Sequence, residues 1–349
     1  MIHKNKSSIS KQDIIENLYK IICSNTSTRK DNKVKNNDYF KRRVLGFKAE
    51  IEFELFIKNQ TNYKFFEGGM FLSPSLDGSK NMKNQFSYVT IDSLPPNEYI
   101  DIYTKIASWD EIKILNYIFL SFDNWTEKEF EIKKTQGGKR IKDKILVPNF
   151  KFYNFNPKNR LFTENTSGDF KEIISLGNER KVRPSKSHLR KREQFEYFKE
   201  YKLDTLLKIY ADRYFLDVEK NRVLLNTIDF DAIIKQGEKY FVVETKEKEP
   251  IKDGKEKEDE KLWSYGWDTR RLIWYKYIQE KIGWKVLYSV RQIDNREDRG
   301  FIKWDSIFLD DFLKGTSWSN STGGGGGEDT LTVPYNHFSD LQESLFKSQ

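Results

Sequence analysis

The chain has 349 residues, of which 37% are hydrophobic, 15% are aromatic and 33% are charged. This length corresponds to two domains or one elaborated domain, and the aromatic content excludes a disordered chain. The single cysteine, Cys23, excludes a disulfide framework and a multi-cysteine zinc site. Three scattered histidines argue against a histidine-ligated metal centre. Lys and Arg number 61 against 53 for Asp and Glu, and the net charge of +8 favours a polyanionic partner such as nucleic acid.

Several other classes of protein are disfavoured by missing sequence features. No apolar run approaches the length of a membrane span, and the first ten residues lack the apolar core of a signal peptide. We therefore expect a cytoplasmic protein that does not contact a membrane. The Gly-x-x-x-x-Gly-Lys-Ser/Thr motif is absent, so we expect no nucleotide cofactor.

The first half of the chain begins with helical periodicity. A short helix is predicted over Lys11–Cys23, a loop over Ser24–Asn37 and a longer helix over Tyr39–Lys58. The longer helix carries an apolar stripe at steps of three and four residues: Phe40, Val44, Phe47, Ile51 and Leu55. The pattern then predicts a strand over Tyr63–Leu72 and a helix near Trp109–Asn116.

The second half opens with a predicted helix over residues 191–212, and its pattern then changes to strands. Two β-rich runs, Arg222–Ile234 and Tyr240–Thr245, flank Gly237 and predict a hairpin. Residues 262–282 predict a helix that ends at Gly283, and Trp284–Val290 predicts a further strand. The pentaglycine at 323–327 predicts a flexible loop rather than a phosphate-binding turn.

Basic side chains are concentrated in two segments. Residues 133–160 contain nine of them against Asp143 alone, and residues 181–192 contain six and no acid. Phenylalanine and asparagine residues follow the first run, a mixture suited to a surface that grips phosphates and reads base edges. The alternative is a pair of solvated loops. The candidate DNA contacts are Lys133, Lys134, Lys139, Arg140, Lys142, Lys186, Arg190, Lys191 and Arg192.

The hairpin carries the residues that indicate chemistry. Residues two apart in a strand share a face, so Asp229 and Asp231 point one way, and so do Glu244 and Lys246 on the next strand. The hairpin therefore predicts a cluster of carboxylates with one lysine among them. Mg²⁺ prefers oxygen ligands and keeps several waters, so one or two carboxylates suffice to hold it. Asp231, Glu244 and Asp229 are the candidate metal ligands.

Lys246 is the candidate for orienting or deprotonating a water beside that metal. We expect partial burial and the neighbouring cation to lower its pKa toward neutrality. Glu-x-Lys occurs elsewhere in the chain, but only the copy at Glu244 follows an apolar β run, with an aspartate thirteen residues upstream across a glycine turn. The alternative is an amphipathic hairpin whose polar face meets solvent.

This segment resembles the PD-(D/E)xK nuclease superfamily, in which an aspartate at a strand bend precedes a (D/E)-x-K triplet on the next strand. Asp231 matches the aspartate and Glu244-Thr245-Lys246 match the triplet, although Phe230 stands where the family has proline. The resemblance covers about residues 213–290. It implies an α/β (α+β) restriction-endonuclease-like core: a mixed central sheet flanked by helices, with a large inserted or N-terminal DNA-recognition region.

Many members of the family place a glutamate on the first core helix, and the resemblance leaves two helices open for that role. Helix 39–58 offers Glu50, which requires an insertion of about 150 residues, and helix 191–212 offers Glu196 or Glu200. We favour Glu50. The predicted division is a recognition region over residues 1–190 and a catalytic core with a C-terminal extension over residues 191–349.

The resemblance implies a Mg²⁺-dependent double-stranded DNA endonuclease of the type II restriction kind, which leaves a 5′-phosphate and a 3′-hydroxyl. Such enzymes are often homodimers, since a two-fold protein matches a palindromic site. Two alternatives remain: a structure-specific nuclease similar to a junction resolvase, and a DNA-binding module with a degenerate, non-catalytic nuclease core.

Overall fold

The computed structural model describes the following residue ranges: 3–4, 6–25, 35–74, 86–134, 140–174, 178–179, 197–220, 223–252, 263–295, 299–316, 322–323 and 329–347. The fold is mixed α and β, as predicted, with more than one sheet. The helices in the described ranges are α1 (Lys11–Asn25), α2 (Lys35–Lys58), α3 (Ile100–Ile106), α4 (Phe170–Ile174), α5 (Leu203–Arg213), α6 (Thr269–Ile282), α7 (Leu309–Gly315) and α8 (Leu341–Lys347).

Strands account for most of the remaining described structure. They are β1 (His3–Lys4), β2 (Lys64–Glu67), β3 (Gly69–Pro74), β4 (Phe86–Asp92), β5 (Ile112–Lys134), β6 (Arg140–Asn156), β7 (Leu161–Glu164), β8 (Asn178–Glu179), β9 (Val223–Asp229), β10 (Ala232–Gln236), β11 (Lys239–Lys248), β12 (Ile251–Lys252), β13 (Trp263–Asp268), β14 (Lys285–Ile293), β15 (Phe301–Phe308), β16 (Thr322–Gly323), β17 (Asp329–Pro334) and β18 (Ser339–Asp340).

The chain forms two units, and each contains two separate stretches of sequence. Unit 1 comprises Met1–Phe47 and Gly69–Thr227, and unit 2 comprises Lys48–Gly68 and Ile228–Gln349. The division differs from the predicted boundary after residue 190, because residues 191–227 fall in unit 1 and most of α2 falls in unit 2. The chain thus leaves unit 2 after β2 and returns to it just before β10.

Unit 1 is built on one large sheet with strand order β7-β6-β5-β4-β3-β9-β8, and β1 pairs with β5. The long antiparallel strands β5 and β6 form a hairpin whose last described pair is Lys134 and Arg140. Helices α1 and α5 bury Ile14, Leu18 and Leu207 in one apolar cluster. This cluster explains why both helices are stable against the sheet.

Unit 2 contains a six-stranded sheet in the order β18-β15-β14-β11-β10-β2. β2, β10 and β11 form an antiparallel meander, and β14 runs parallel to β11 after the crossover helix α6. Phe53 and Ile57 of α2 pack with Val243 and Leu287 on one face of the sheet. Helix α6 approaches the other face, the one that carries Glu244. In unit 2 the order along the chain is therefore helix α2, the three-stranded meander, helix α6 and a fourth strand, β14, which is parallel to the last strand of the meander.

Five predicted elements are wrong in part. Within the described residues, the helix predicted over 191–212 begins only at Leu203. The β run predicted over Arg222–Ile234 is broken at Phe230 and Asp231 into β9 and β10, which belong to different sheets. Trp109–Asn116 is no helix, because a turn leads into β5 at Ile112; its apolar spacing fits a buried strand as well as a helix. Tyr63–Leu72 is split by Gly68 into β2 and β3, which belong to different sheets. In the segment predicted as helix 262–282, Trp263–Asp268 forms strand β13, paired with β17, and the helix begins only at Thr269.

The predicted stripe on the second helix is also only partly correct. Ile51 is buried, but Leu55 is 46% exposed, and Phe53 and Ile57 are buried in its place. The side chains of Phe40 and Val44 lie outside the described ones, as do Gly324–Gly327 of the pentaglycine. Gly237 at the hairpin turn (φ +56°) and Gly283 after α6 (φ +78°) adopt the left-handed backbone that the sequence predicts at both positions.

Candidate functional site

The site begins where the backbone bends between β9 and β10. Phe230 and Asp231 form this bend, and Gly68 lies directly against it. A Cβ atom on Gly68 would come within 1.8 Å of the Phe230 carbonyl oxygen, and the Gly68 amide donates to the Asp231 carbonyl at 3.3 Å. No larger residue fits at position 68 without moving this backbone, so Gly68 helps to place Asp231.

Asp231 is fixed by the neighbouring strand as well. Its amide donates to the Val243 carbonyl at 2.9 Å, and its Oδ2 accepts from the Thr245 amide at 2.6 Å. The hairpin register pairs Ala232 with Val243, so the carboxylate meets the first residues of the Glu244-Thr245-Lys246 triplet. The aspartate is therefore held by backbone bonds on both sides.

Glu244 and Lys246 point to the same face of β11, as their spacing predicts. Lys246 Nζ lies 2.6 Å from Glu244 Oε1 and 3.8 Å from Asp231 Oδ2. The Glu244 side chain is fully buried, whereas that of Lys246 is 36% exposed. The structure thus brings Asp231, Glu244 and Lys246 together with the lysine between the two carboxylates.

Helix α6 adds two residues that complete the cluster. Its first turn is capped by Asp268, whose side chain accepts from the Arg271 amide, and this places Arg271 over Glu244. Arg271 Nη1 lies 2.9 and 2.8 Å from the two Glu244 oxygens, and Nη2 lies 2.9 Å from Asp229 Oδ1. One helical turn later, the Tyr275 hydroxyl donates to Glu244 Oε2.

Burial and crowding shift the acid–base properties of these groups. Burial raises the pKa of Asp231 to about 7; Lys246 opposes the rise, and the Glu244 and Asp229 carboxylates add to it. Burial alone would lower the pKa of Lys246, but the carboxylates of Asp231 and Glu244 outweigh it and raise that pKa above its usual value. Burial thus acts in the expected direction but is outweighed by the two carboxylates, beside which Lys246 is a cation; the lowering expected from a neighbouring metal ion stays a prediction.

The donor atoms of the cluster suit a hard divalent cation. Within the described ranges, no three His, Cys, Asp or Glu side chains are grouped closely enough to enclose an ion. Mg²⁺ needs fewer protein ligands, because it keeps several of its own waters. Asp231 and Glu244 are the two residues that would hold it. Asp229 is instead engaged by Arg271 and reaches the cluster through that guanidinium.

The candidate helix glutamates lie elsewhere. Glu50 is exposed on α2, and α2 packs on the sheet face opposite to the one that carries Glu244. A different glutamate of α2, Glu52, pairs with the buried Arg291 on that opposite face. Glu200 is exposed in unit 1, and Glu196 lies outside the described residues.

Part of the predicted DNA-binding surface lies on the β5–β6 hairpin of unit 1. Lys133, Lys134 and Arg140 belong to its paired strands, and the exposed Lys142 lies 2.9 Å from Glu129. Acidic side chains on β5 therefore neutralise some of the charge that the sequence segment 133–160 suggests. The other candidate contacts lie outside the described residues: Lys139, Lys186, Arg190, Lys191 and Arg192.

The phenylalanines of β6 do not form a base-reading surface. Phe155 is buried, and Phe150 and Phe152 both make edge-to-face contacts with Phe170. These rings fill the interior of unit 1. In unit 2, Trp267 is likewise buried, stacked on Tyr288. The sequence pattern places Trp267 in a helix, whereas the structure places it in β13.

Sequence reasoning leaves three residues out of the site: Arg271, Tyr275 and Gly68. Arg271 and Tyr275 are four positions apart, which places them on one face of a helix, and this spacing is visible in the sequence. The glycine pair 68–69 is a signal for close backbone approach. Neither signal identifies its partner, because Glu244 is 27 residues from Arg271 and the Phe230 bend is far from Gly68 along the chain.

The chain matches no protein-family model, no curated protein and no solved structure. No helix in the described ranges is long and apolar enough to cross a membrane. A function must therefore be inferred from the site itself and from the topology that positions it.

Proposed function

We propose that this protein is a Mg²⁺-dependent endonuclease that cuts double-stranded DNA, of the type II restriction kind. The observation that carries the proposal is the arrangement of Asp231, Glu244 and Lys246. The two carboxylates converge on one lysine at the bend of a meander that is followed by a crossover helix and a parallel strand. The family that the hairpin resembles has a core of one helix, a three-stranded meander, a second helix and a fourth strand, with an aspartate at a strand bend and a (D/E)-x-K triplet on the next strand.

Each residue has a task that follows from its surroundings. Asp231 and Glu244 would hold the cation, which would supply charge stabilisation at the phosphate and activation of water. Lys246 is already protonated, so it orients water or phosphate by donating hydrogen bonds and does not accept the proton of the attacking water. The β5–β6 hairpin supplies cations for phosphate contacts that hold the duplex.

The size of unit 1 favours a self-contained enzyme that reads its own site. Residues 69–227 stand between two strands of the meander, and such a stretch is large enough for recognition elements. The proposed enzyme acts as a homodimer on a palindromic site, in the cytoplasm.

One observation favours a second candidate, a DNA-binding module without catalysis. The Glu244 carboxylate already accepts from Arg271, Lys246 and Tyr275, so the cluster is satisfied without a metal. In that case the core retains the nuclease geometry but uses the arginine as a permanent substitute for the ion.

A cleavage assay separates these candidates. Plasmid and phage-sized DNA are incubated with the protein and Mg²⁺, beside a branched DNA substrate. Discrete fragments indicate site-specific cleavage, preference for the branched substrate indicates a resolvase-like enzyme, and binding without cutting indicates the non-catalytic module. Asp231→Asn and Glu244→Gln should abolish cleavage while DNA binding remains, because each removes a cation ligand and no phosphate donor. Glu238→Ala, an exposed acid at the hairpin turn, is the matched control and should cut normally.

A further inference from the structure

Each oxygen of Glu244 has two donors within hydrogen-bond distance, and Arg271 Nη1 is shared between the two oxygens. A carboxylate offers about four acceptor positions on its two oxygens. Oε1 accepts from Arg271 and from Lys246 at 2.6 Å, and Oε2 accepts from Arg271 and from the Tyr275 hydroxyl. A divalent ion therefore cannot bind Glu244 directly until one of these donors leaves.

Arg271 is the donor that is best placed to leave. Tyr275 is fully buried, and its single hydroxyl proton lies between Glu244 Oε2 and the Asp229 carbonyl oxygen, which is 2.9 Å from the hydroxyl oxygen, so its position is fixed. Lys246 sits on the same strand as Glu244 and keeps Asp231 as a partner. The Arg271 side chain is 33% exposed, and its Nη2 already lies on Asp229, which is 38% exposed. It can release Glu244 and still keep a carboxylate partner near solvent.

The charges of the cluster favour the same exchange. With their carboxyl groups ionised, Asp229, Asp231 and Glu244 carry three negative charges against two positive charges on Lys246 and Arg271. The excess of one negative charge attracts a divalent ion, but a guanidinium on Glu244 repels that ion at short range. Movement of Arg271 toward Asp229 weakens the repulsion and retains the charge balance.

We propose that Arg271 is a built-in cation that holds Glu244 in the metal-free protein and must release it before a divalent ion binds. The inference rests on the proposed function, since it assigns the regulation of metal entry at that same site. The apparent metal affinity is then reduced by the fraction of molecules in which Arg271 is still bound to Glu244. Arg271 is a positioning residue: it protects the buried carboxylate when no ion is present.

The test measures Mg²⁺ binding to the full chain by calorimetry without DNA, together with the thermal midpoint of unfolding with and without saturating Mg²⁺. Arg271→Gln removes the competing charge, so it should bind Mg²⁺ at least about tenfold more tightly than wild type. Its metal-free midpoint should fall and should recover when Mg²⁺ is added. Arg270→Gln changes the exposed neighbour on the same helix turn and should match wild type in both measurements.

Each outcome decides the matter. Tighter binding by Arg271→Gln, binding by that variant alone, or folding of that variant only in the presence of Mg²⁺ supports the proposal. Wild type that binds Mg²⁺ while Arg271→Gln binds equally or more weakly overturns it. So does loss of folding in both Arg271→Gln and Arg271→Lys with and without Mg²⁺, since the arginine is then a permanent partner.

No binding by wild type or variant overturns the metal site and the proposed function with it. Tighter binding without DNA cleavage leaves the Arg271 role standing and overturns only the nuclease function.

Discussion

The buried ion cluster on the far side of the sheet gives the sharpest prediction about stability. Glu247, 1% exposed, lies 2.9 Å from Nη1 of Arg291, which is 4% exposed, and 2.5 Å from Nε of Arg299. Arg291 also pairs with Glu52 of α2. Glu247→Gln removes the carboxylate charge that the guanidinium groups of Arg291 and Arg299 share. Because Arg291 keeps Glu52 and Arg299 is 15% exposed, we expect a loss at the low end for a broken buried pair, about 3 kcal/mol.

The measurement is urea unfolding at neutral pH, analysed for two transitions because the chain has two units. Glu52→Gln removes the more exposed partner of Arg291 (28% exposed) and should cost about 1 kcal/mol, as a surface pair does. The reasoning fails if Glu247→Gln costs no more than Glu52→Gln, or if it destabilises the transition of unit 1 alone.

Three further predictions concern function. Replacing Lys133, Lys134 and Lys142 together by Gln should weaken DNA binding. The slope of log affinity against log salt concentration should become shallower by about 0.9 for each lost phosphate contact. An unchanged slope would show that these lysines are solvated and do not contact DNA. Burial raises the pKa of Asp231 to about 7, so this carboxyl group holds a proton below that pH. The apparent Kd for Mg²⁺ in calorimetry should therefore increase about tenfold for each pH unit below 7 and stay constant above it. A constant Kd down to pH 5 would exclude Asp231 as a ligand. Lys246→Met removes a preorganised hydrogen-bond donor and should slow single-turnover cleavage at least about a hundredfold, while DNA binding in Ca²⁺ persists. Normal cleavage at high protein concentration would make Lys246 only a phosphate anchor.

The hairpin and its acids could be predicted because the signals are local. Alternation with period two gives the faces of a strand, and Gly237 marks the turn, so Asp231 and Glu244 must meet wherever the hairpin lies. The bend at Phe230 is what places Asp231 at the edge of the meander. That bend also depends on the close approach of Gly68, a long-range contact that the local pattern does not give.

The partners of Glu244 could not be predicted, because they depend on how α6 is rotated against the sheet. Arg270 and Arg271 are successive positions about 100° apart on a helix, and either could face inward. Only the packing of Tyr275 and Leu272, both buried, turns Arg271 toward the strand. The direction of the Lys246 pKa shift also depends on the three-dimensional structure, since it is set by how close the Asp231 and Glu244 carboxylates approach Lys246.

The position of unit 1 within the chain has a consequence for folding kinetics. β2 pairs with β10, and this register joins Glu67 to Ala232 across a long stretch of intervening chain. Closing so large a loop in an unfolded chain is entropically unfavourable and slow. The strands β3 and β9, which lie at the two ends of unit 1, are neighbours in its sheet. Folding of unit 1 therefore brings the two ends of the loop together, and the meander that carries Asp231 can assemble quickly only after unit 1 has formed.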